Sequence, residues 1–216
     1  MITIIDYKTG NTRSIRNALA YLGYQSKISD QKEDIQNASI LFLPGVGSFD
    51  SGMSNLKSLG LTTPITEHAL IKKKPIIGIC LGMQLLTSSS EEGTLDGLKI
   101  IDAHVKKFRP KSHTAKVPHM GWNKIQKRKS SSVIEKLPPH SKFYFVHSYY
   151  VVCNTPTVEL TSTTYDIPFT SSFQKENIWG FQFHPEKSHT YGLSLLKNLL
   201  DLYRHDNQNS DTTGKS

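Results

Sequence analysis

The segment that most constrains this chain is Pro75-Ile76-Ile77-Gly78-Ile79-Cys80-Leu81-Gly82-Met83-Gln84-Leu85-Leu86. A short apolar run gives way at Cys80 to residues that favour a helix. The pattern predicts a strand, a sharp turn and a helix, with a thiol at the turn. Glycines two residues before and two after the cysteine remove the Cβ atoms that such a connection would crowd. A thiol beside a helix N-terminus is biased toward its thiolate, the reactive form. Taken alone, the pattern leaves a second reading open, because free cysteine also serves as a small buried apolar residue.

The preceding sequence extends this unit into a parallel α/β sheet. Ile2 to Ile5 reads as a strand. Asn11 is placed to cap a helix whose apolar positions Ile15, Ala18, Leu19 and Leu22 recur at helical spacing, and Gly23 ends it. Tyr24 to Ile28 and Ile40 to Leu43 read as further strands, the latter stopped by Pro44-Gly45, and Thr63 to Lys72 reads as helical. Strands alternating with helices imply a largely parallel central sheet flanked by helices, with ligands at the carboxyl ends of the strands. After Gly93, segments rich in Val, Phe, Tyr and Thr are separated by Pro, Ser and Asn, which predicts an added β-rich, antiparallel portion out to Phe183. A last helix is expected from Tyr191 to Arg204. Residues 1–204 read as one domain, and residues 205–216 as a polar, disordered tail.

Downstream, Trp179-Gly180-Phe181-Gln182-Phe183 alternates apolar and polar like a strand and runs into His184-Pro185-Glu186. If that segment stays extended, His184 and Glu186 share a face. One imidazole nitrogen can then bond Glu186 while the other meets Cys80. These three residues form a candidate nucleophile, base and orienting carboxylate.

Composition narrows the classes. No apolar run approaches the roughly 18 residues of a membrane span. The opening Met1-Ile2-Thr3-Ile4-Ile5-Asp6 lacks a basic segment and does not read as an export signal. The two cysteines then suggest a reducing, cytoplasmic setting, with Cys153 a buried strand residue. No spacing of Cys and His matches a zinc site. The net charge of +8 is concentrated: between Ala103 and Ile134 there are nine Lys or Arg and no Asp or Glu. With no zinc-finger, helix-turn-helix or RNA-stacking motif beside it, the stretch at 106–129 reads as a solvated basic region. A docking surface for an acidic partner or a nucleic-acid patch is the weaker reading.

Several motifs in order along the chain carry a resemblance. They are Ile5-Asp6-Tyr7 with Gly10-Asn11, Leu43-Pro44-Gly45-Val46-Gly47-Ser48-Phe49, the cysteine turn, Pro118-His119-Met120-Gly121-Trp122-Asn123, Phe145-Val146-His147-Ser148-Tyr149 and His184-Pro185-Glu186-Lys187-Ser188. From Met1 to about Tyr203 the chain resembles class I glutamine amidotransferases, and among them the glutaminase subunits of imidazole glycerol phosphate synthase. It departs at Lys8-Thr9, where the family carries a glycine-rich turn, in a loop that faces the partner in relatives.

The resemblance implies hydrolysis of the glutamine side-chain amide by Cys80, His184 and Glu186, with no cofactor or metal. The Leu81 amide, just after the nucleophile, suits an oxyanion donor. Relatives place a second donor in the turn holding Val46 and Gly47. Gln84, about one helical turn beyond Cys80, can face the same pocket, and His147, Ser148 and Tyr149 would offer backbone contacts to glutamine. The resemblance also implies a heterodimer with a (β/α)8-barrel cyclase that receives the ammonia for histidine biosynthesis. Asn11, Met120, Trp122, Asn123 and Lys187 would line the contact, and Tyr144 would help gate ammonia. Two alternatives stay open: a paralogous glutaminase subunit serving a synthase of surface-polysaccharide sugars, and a non-catalytic regulatory or binding module that keeps the fold.

Overall fold

The computed structural model describes residues 1–112 and 115–210. Its first half alternates strands and helices: β1 Ile2–Ile5, α1 Thr12–Tyr21, β2 Ser26–Ser29, α2 Lys32–Asn37, β3 Ile40–Gly45, α3 Phe49–Ser58, α4 Thr62–Thr66, β4 Ile76–Cys80 and α5 Leu81–Leu85. The second half is mostly strands: β5 Ser89–Ser90, β6 Ala103–Lys107, β7 His119–Lys124, β8 Gln126–Lys127, then the short α6 Ser132–Glu135, followed by β9 Lys142–His147, β10 Tyr149–Cys153, β11 Glu159–Tyr165, β12 Ile167–Lys175 and β13 Ile178–Phe181. A closing helix, α7, runs His189–Ser210.

Strands β2, β1, β3, β4 and β13 are parallel neighbours, in that order. From β13 the sheet turns antiparallel through β12 to β10 and β6, with β11 and β8 branching from β12. Strands β7 and β9 pair separately as an antiparallel ribbon.

Strands β1, β3, β4 and β13 are buried on both faces, as sheets covered by crossover helices must be, while the edge strand β2 is half-buried. Along β3, Leu41 and Leu43 pack into one core layer with Phe49, Met53 and Leu56 of α3. Ile40 and Phe42 point to the opposite layer, where Ile15 and Leu19 of α1 meet Leu195, Leu196, Leu199 and Leu200 of α7.

Several expectations need correction. Asn11 stands at the N-cap of α1, but its side chain makes no capping bond. β3 continues through Pro44-Gly45 instead of stopping before them, which brings Gly45 opposite Cys80. Helices α2 and α3 add to those expected, and α4 passes into a wider π turn at Glu67–Ile71. α7 reaches Ser210, past the expected end at Arg204, because no Gly or Pro interrupts His205–Ser210. Residues 211–216 lie outside the described residues. The basic stretch is spread over β6 to β8 and draws acids from elsewhere, with Arg109 paired to Glu91 and Lys127 to Glu135. No helix among the described residues is long and apolar enough to cross a membrane.

Candidate active site

Cys80 ends β4 and opens α5 with φ 54° and ψ −112°, a left-handed conformation that non-glycine residues rarely adopt. Strain of this kind persists only where the surroundings enforce it. Here they do. A Cβ on Gly82 would fall 1.7 Å from the Leu43 carbonyl oxygen, and one on Gly78 would fall 2.8 Å from Gly82 O and Met83 Cα. The two glycines thus serve to seat α5 directly on β3 and β4, while the positive φ belongs to the cysteine itself.

His184 follows β13, the parallel neighbour of β4. Its Nδ1 lies 2.8 Å from Glu186 Oε1, both side chains being 2 % exposed. The segment is not extended. Pro185–Lys187 forms a 3₁₀ turn, and that turn, not strand alternation, brings the carboxylate back to the ring. Ser188 locks it by donating to His184 O (2.6 Å) and accepting from Tyr144 N–H (2.9 Å), while His184 N–H donates to Tyr144 O (2.9 Å). The other imidazole nitrogen, Nε2, is buried with no hydrogen bond, and His184 and Cys80 line one cavity. Burial pulls the His184 imidazole down, but Cys80 and Glu186 together outweigh it and raise it above the usual histidine range.

A cavity of about 320 Å³ is lined by Cys80, Leu81, Gln84, Val46, Gly47, His147, Ser148, Tyr149 and His184, together with Glu92, Pro118 and Val146. Glu186 reaches it through His184. Within the cavity, the Cys80 thiol donates to Val146 O at 3.9 Å. Both amide protons of Gln84 are engaged, to Tyr149 O (3.1 Å) and Gln182 Oε1 (3.0 Å), so only its own carbonyl is available to a ligand. The His147 ring is used internally: Nδ1 meets Tyr149 O at 2.8 Å, and Nε2 meets Nδ1 of the buried His119 at 3.0 Å. His119 is stacked between Phe145 and Tyr165. Val46 N–H donates to Thr9 O at 2.7 Å. The Lys8-Thr9 loop is therefore part of the site's architecture.

Of the residues expected at a partner contact, three are exposed and three half-buried. Met120 (61 % exposed) and Trp122 (45 %) project from β7, and Trp122 stacks on His189. Tyr144 and Asn123 are half-buried beside them, Asn123 donating to Thr164 O. Asn11 is half-buried and Lys187 exposed. Cys153, at the end of β10, is half-buried rather than buried as expected, and desolvation still pushes its thiol up to about 12. Four participants are given no role by the sequence reading: Glu92, whose Oε2 accepts from Phe49 N–H (2.8 Å), Gln182, and His119 and Ser188, which stand within the family motifs. Gln182 carries a signal, being a polar residue between two aromatics just past a doubly covered strand. Glu92 carries none.

Comparison with known proteins gives this geometry a family. The family model for "Glutamine amidotransferase class-I" matches residues 3–202. A protein of Methanococcus maripaludis named imidazole glycerol phosphate synthase subunit HisH 2 is 50 % identical, over 93 % of this chain and 98 % of its own. One of Pseudomonas aeruginosa with the same name is 46 % identical, over 94 % and 100 %. Subunit HisH of Moorella thermoacetica is 44 % identical, over 94 % and 96 %. Among solved structures, a glutamine amidotransferase from Thermotoga maritima superposes with a TM-score of 0.59 at 17 % identity, covering 97 % of this chain and 84 % of that one, a likeness of fold. By the reach of the family model and the identity of the sequence relatives, the chain belongs to the class I glutamine amidotransferases.

Proposed function

We propose that the chain is the glutaminase subunit of an imidazole glycerol phosphate synthase, with Cys80, His184 and Glu186 as its catalytic triad. The observation that carries this reading is one cavity in which a strained cysteine faces a buried imidazole whose far nitrogen is held by a carboxylate. Glutamine enters with its side-chain amide against Cys80. The Cys80 sulfur attacks the amide carbon, and His184 delivers a proton to the departing nitrogen, which leaves as ammonia. The thioester is then hydrolysed by water that His184 deprotonates, releasing glutamate and restoring the thiol. Glu92 and the Gln84 carbonyl line the same cavity and suit the substrate's ammonium.

Both steps pass through an oxyanion. Leu81 N–H, in the first turn of α5, is one donor. The second, Val46 N–H, is engaged by Thr9 O and must be released by rotation of the Gly45–Val46 peptide. One missing oxyanion donor typically lowers the rate by about 10²–10³. The free subunit is therefore slow, and a partner that moves the Lys8-Thr9 loop activates it.

The exposed face around Met120 and Trp122 suits docking of a (β/α)8-barrel cyclase that consumes the ammonia in making imidazole glycerol phosphate. A second reading, a paralogous subunit feeding another sugar synthase, is favoured by one detail: Lys8-Thr9 departs from the family pattern in the loop that holds Val46. Co-purification with candidate synthases separates the two. Glutamate release is then measured for the free subunit, the complex, and the complex with acceptor substrate. A rise across that series is expected, and equal rates in all three would rule out partner control. Cys80→Ala should abolish glutamine-dependent turnover while turnover with free ammonium survives in the complex. Normal glutaminase activity in that variant would remove the mechanism.

A further inference from the structure

Beneath Cys80 lies a polar side chain that the mechanism above leaves unused. Gln182 follows β13, two residues before His184, and is 0 % exposed between Phe181 and Phe183. A buried primary amide must satisfy both ends. Its Oε1 accepts from Gln84 Nε2 at 3.0 Å. Gln84 Nε2 also donates to the Tyr149 carbonyl at 3.1 Å, and turning that amide over would set two carbonyl oxygens against each other. The orientation of Gln84 is thus fixed by backbone, and it fixes Gln182 in turn. The NH₂ of Gln182 is left facing the other way, where its Nε2 donates to Cys80 Sγ at 3.8 Å.

The sulfur therefore has two neighbours that favour opposite protonation states. Val146 O, at 3.9 Å, accepts from the thiol and has nothing to accept from a thiolate. Gln182 donates, and a donor binds the anion more strongly than the neutral thiol. We infer that Gln182 is a further catalytic residue, its Nε2–H held on the Cys80 sulfur to stabilise and aim the thiolate, with Gln84 as a positioning residue acting through it. The amide keeps its protons throughout. It supports the anion before attack and again when the thioester releases the sulfur. Raising the thiolate fraction gains more than is lost through the lower intrinsic nucleophilicity of a stabilised anion.

The inference rests on Cys80 being the nucleophile, and the experiment separates the two. Iodoacetamide is reacted with the free subunit from about pH 5 to about pH 9, and the peptide bearing Cys80 is quantified by mass, with the half-buried Cys153, whose thiol is held neutral, as a slow internal reference. Gln182→Met keeps the volume and removes the donor. Its alkylation profile is expected to move to higher pH, with the rate near pH 6 falling about threefold and the alkaline plateau level or up to about threefold higher. A role in packing alone would lower the plateau or the melting temperature without displacing the profile. Gln84→Met is expected to displace it in the same direction by less. A folded Gln182→Met protein whose profile overlays the wild type overturns the inference. If Gln182→Met does not fold, Gln84→Met carries the test, and an unmoved profile there overturns it. A wild-type Cys80 no more reactive than in the urea-unfolded chain would instead overturn the assignment of Cys80 as nucleophile.

Discussion

Replacing Gly82 by alanine tests the architecture of the cysteine turn more sharply than any change to the catalytic side chains. The added methyl would lie 1.7 Å from Leu43 O, 2.7 Å from Leu43 C and 3.3 Å from Leu43 Cγ. Ordinary contact needs about 3.5 Å between carbon centres, so the gap must open by about 1.5 Å or more. Neither side can yield cheaply. Leu43 is paired with Gly78 inside the parallel sheet, and Gly82 is the second residue of α5. Overpacking in rigid surroundings costs about 3 kcal/mol, at the upper end of its usual range. For a chain of this size that lowers the melting temperature by about 6–12 °C. The displacement falls on Cys80, and a misplacement of about 1 Å at the reacting atom lowers turnover about 10²-fold. Gly47→Ala is the control: φ is +102° there, but nothing lies within 4 Å of the new methyl. Only left-handed strain of about 1–2 kcal/mol is then expected. Urea unfolding gives both stabilities, and glutamate release from the complex gives the activity of the Gly82 variant. If Gly82→Ala unfolds with the wild type and keeps its turnover, α5 does not sit against Leu43 as described, and the account of the turn is wrong.

Other changes probe separate parts of the molecule. His184→Ala should lower glutamine-dependent turnover by about 10³-fold or more, whereas Glu186→Gln, whose amide oxygen can still accept from Nδ1–H, should lose about 10–100-fold; equal losses in glutamate release would give Glu186 more than an orienting role. Acid should destabilise the fold well before its carboxylates titrate. Burial pushes His68 and His119 down to about 4, and burial together with His119 pushes His147 down to about 3. Unfolded, each binds a proton near pH 6.5, so the unfolded chain takes up more protons, and stability present above about pH 6.5 is lost as pH falls toward about 4. Urea midpoints that stay flat from pH 7 to pH 4 would contradict this. Trp122→Ala should weaken partner binding about 30-fold in calorimetry while leaving the melting temperature of the free subunit nearly unchanged, and the reverse pattern would make Trp122 a packing residue.

How much the sequence discloses depends on how local the signal is. The strand into Cys80 and the helix after it are adjacent in the chain, and both are present. Helix α3 has a legible start that the strand-ending reading of Pro44-Gly45 obscures: Ser48 accepts from Ser51 N–H at its N-terminus, and Phe49, Met53 and Leu56 follow at helical spacing. Helix α2 is harder, since Ile35 is its only buried residue. Reading Gln182 as the polar side of an alternating strand fails because β13 has no solvent face. The bonds that define the site join residues far apart in sequence, Gln84 with Gln182 and Thr9 with Val46. No local pattern encodes such a meeting, which arises only when parallel strands bring their ends together.

The clasp of Tyr144 by His184 and Ser188 turns the length of β9 into a ruler. Tyr144 is bonded through its backbone to the His184 turn, and two residues later Val146 begins the segment that walls the cavity. Along β9, Phe143 and Phe145 point into the core, while Tyr144 and Val146 lie on the more open face. A single inserted or deleted residue would exchange those faces. It would carry an aromatic out of the core, part Tyr144 from His184, and shift His147–Tyr149 along the cavity wall in one stroke. Variation in this ribbon is therefore confined to the identity of its outward side chains, and its residue count is as firmly constrained as the three residues around the thiol.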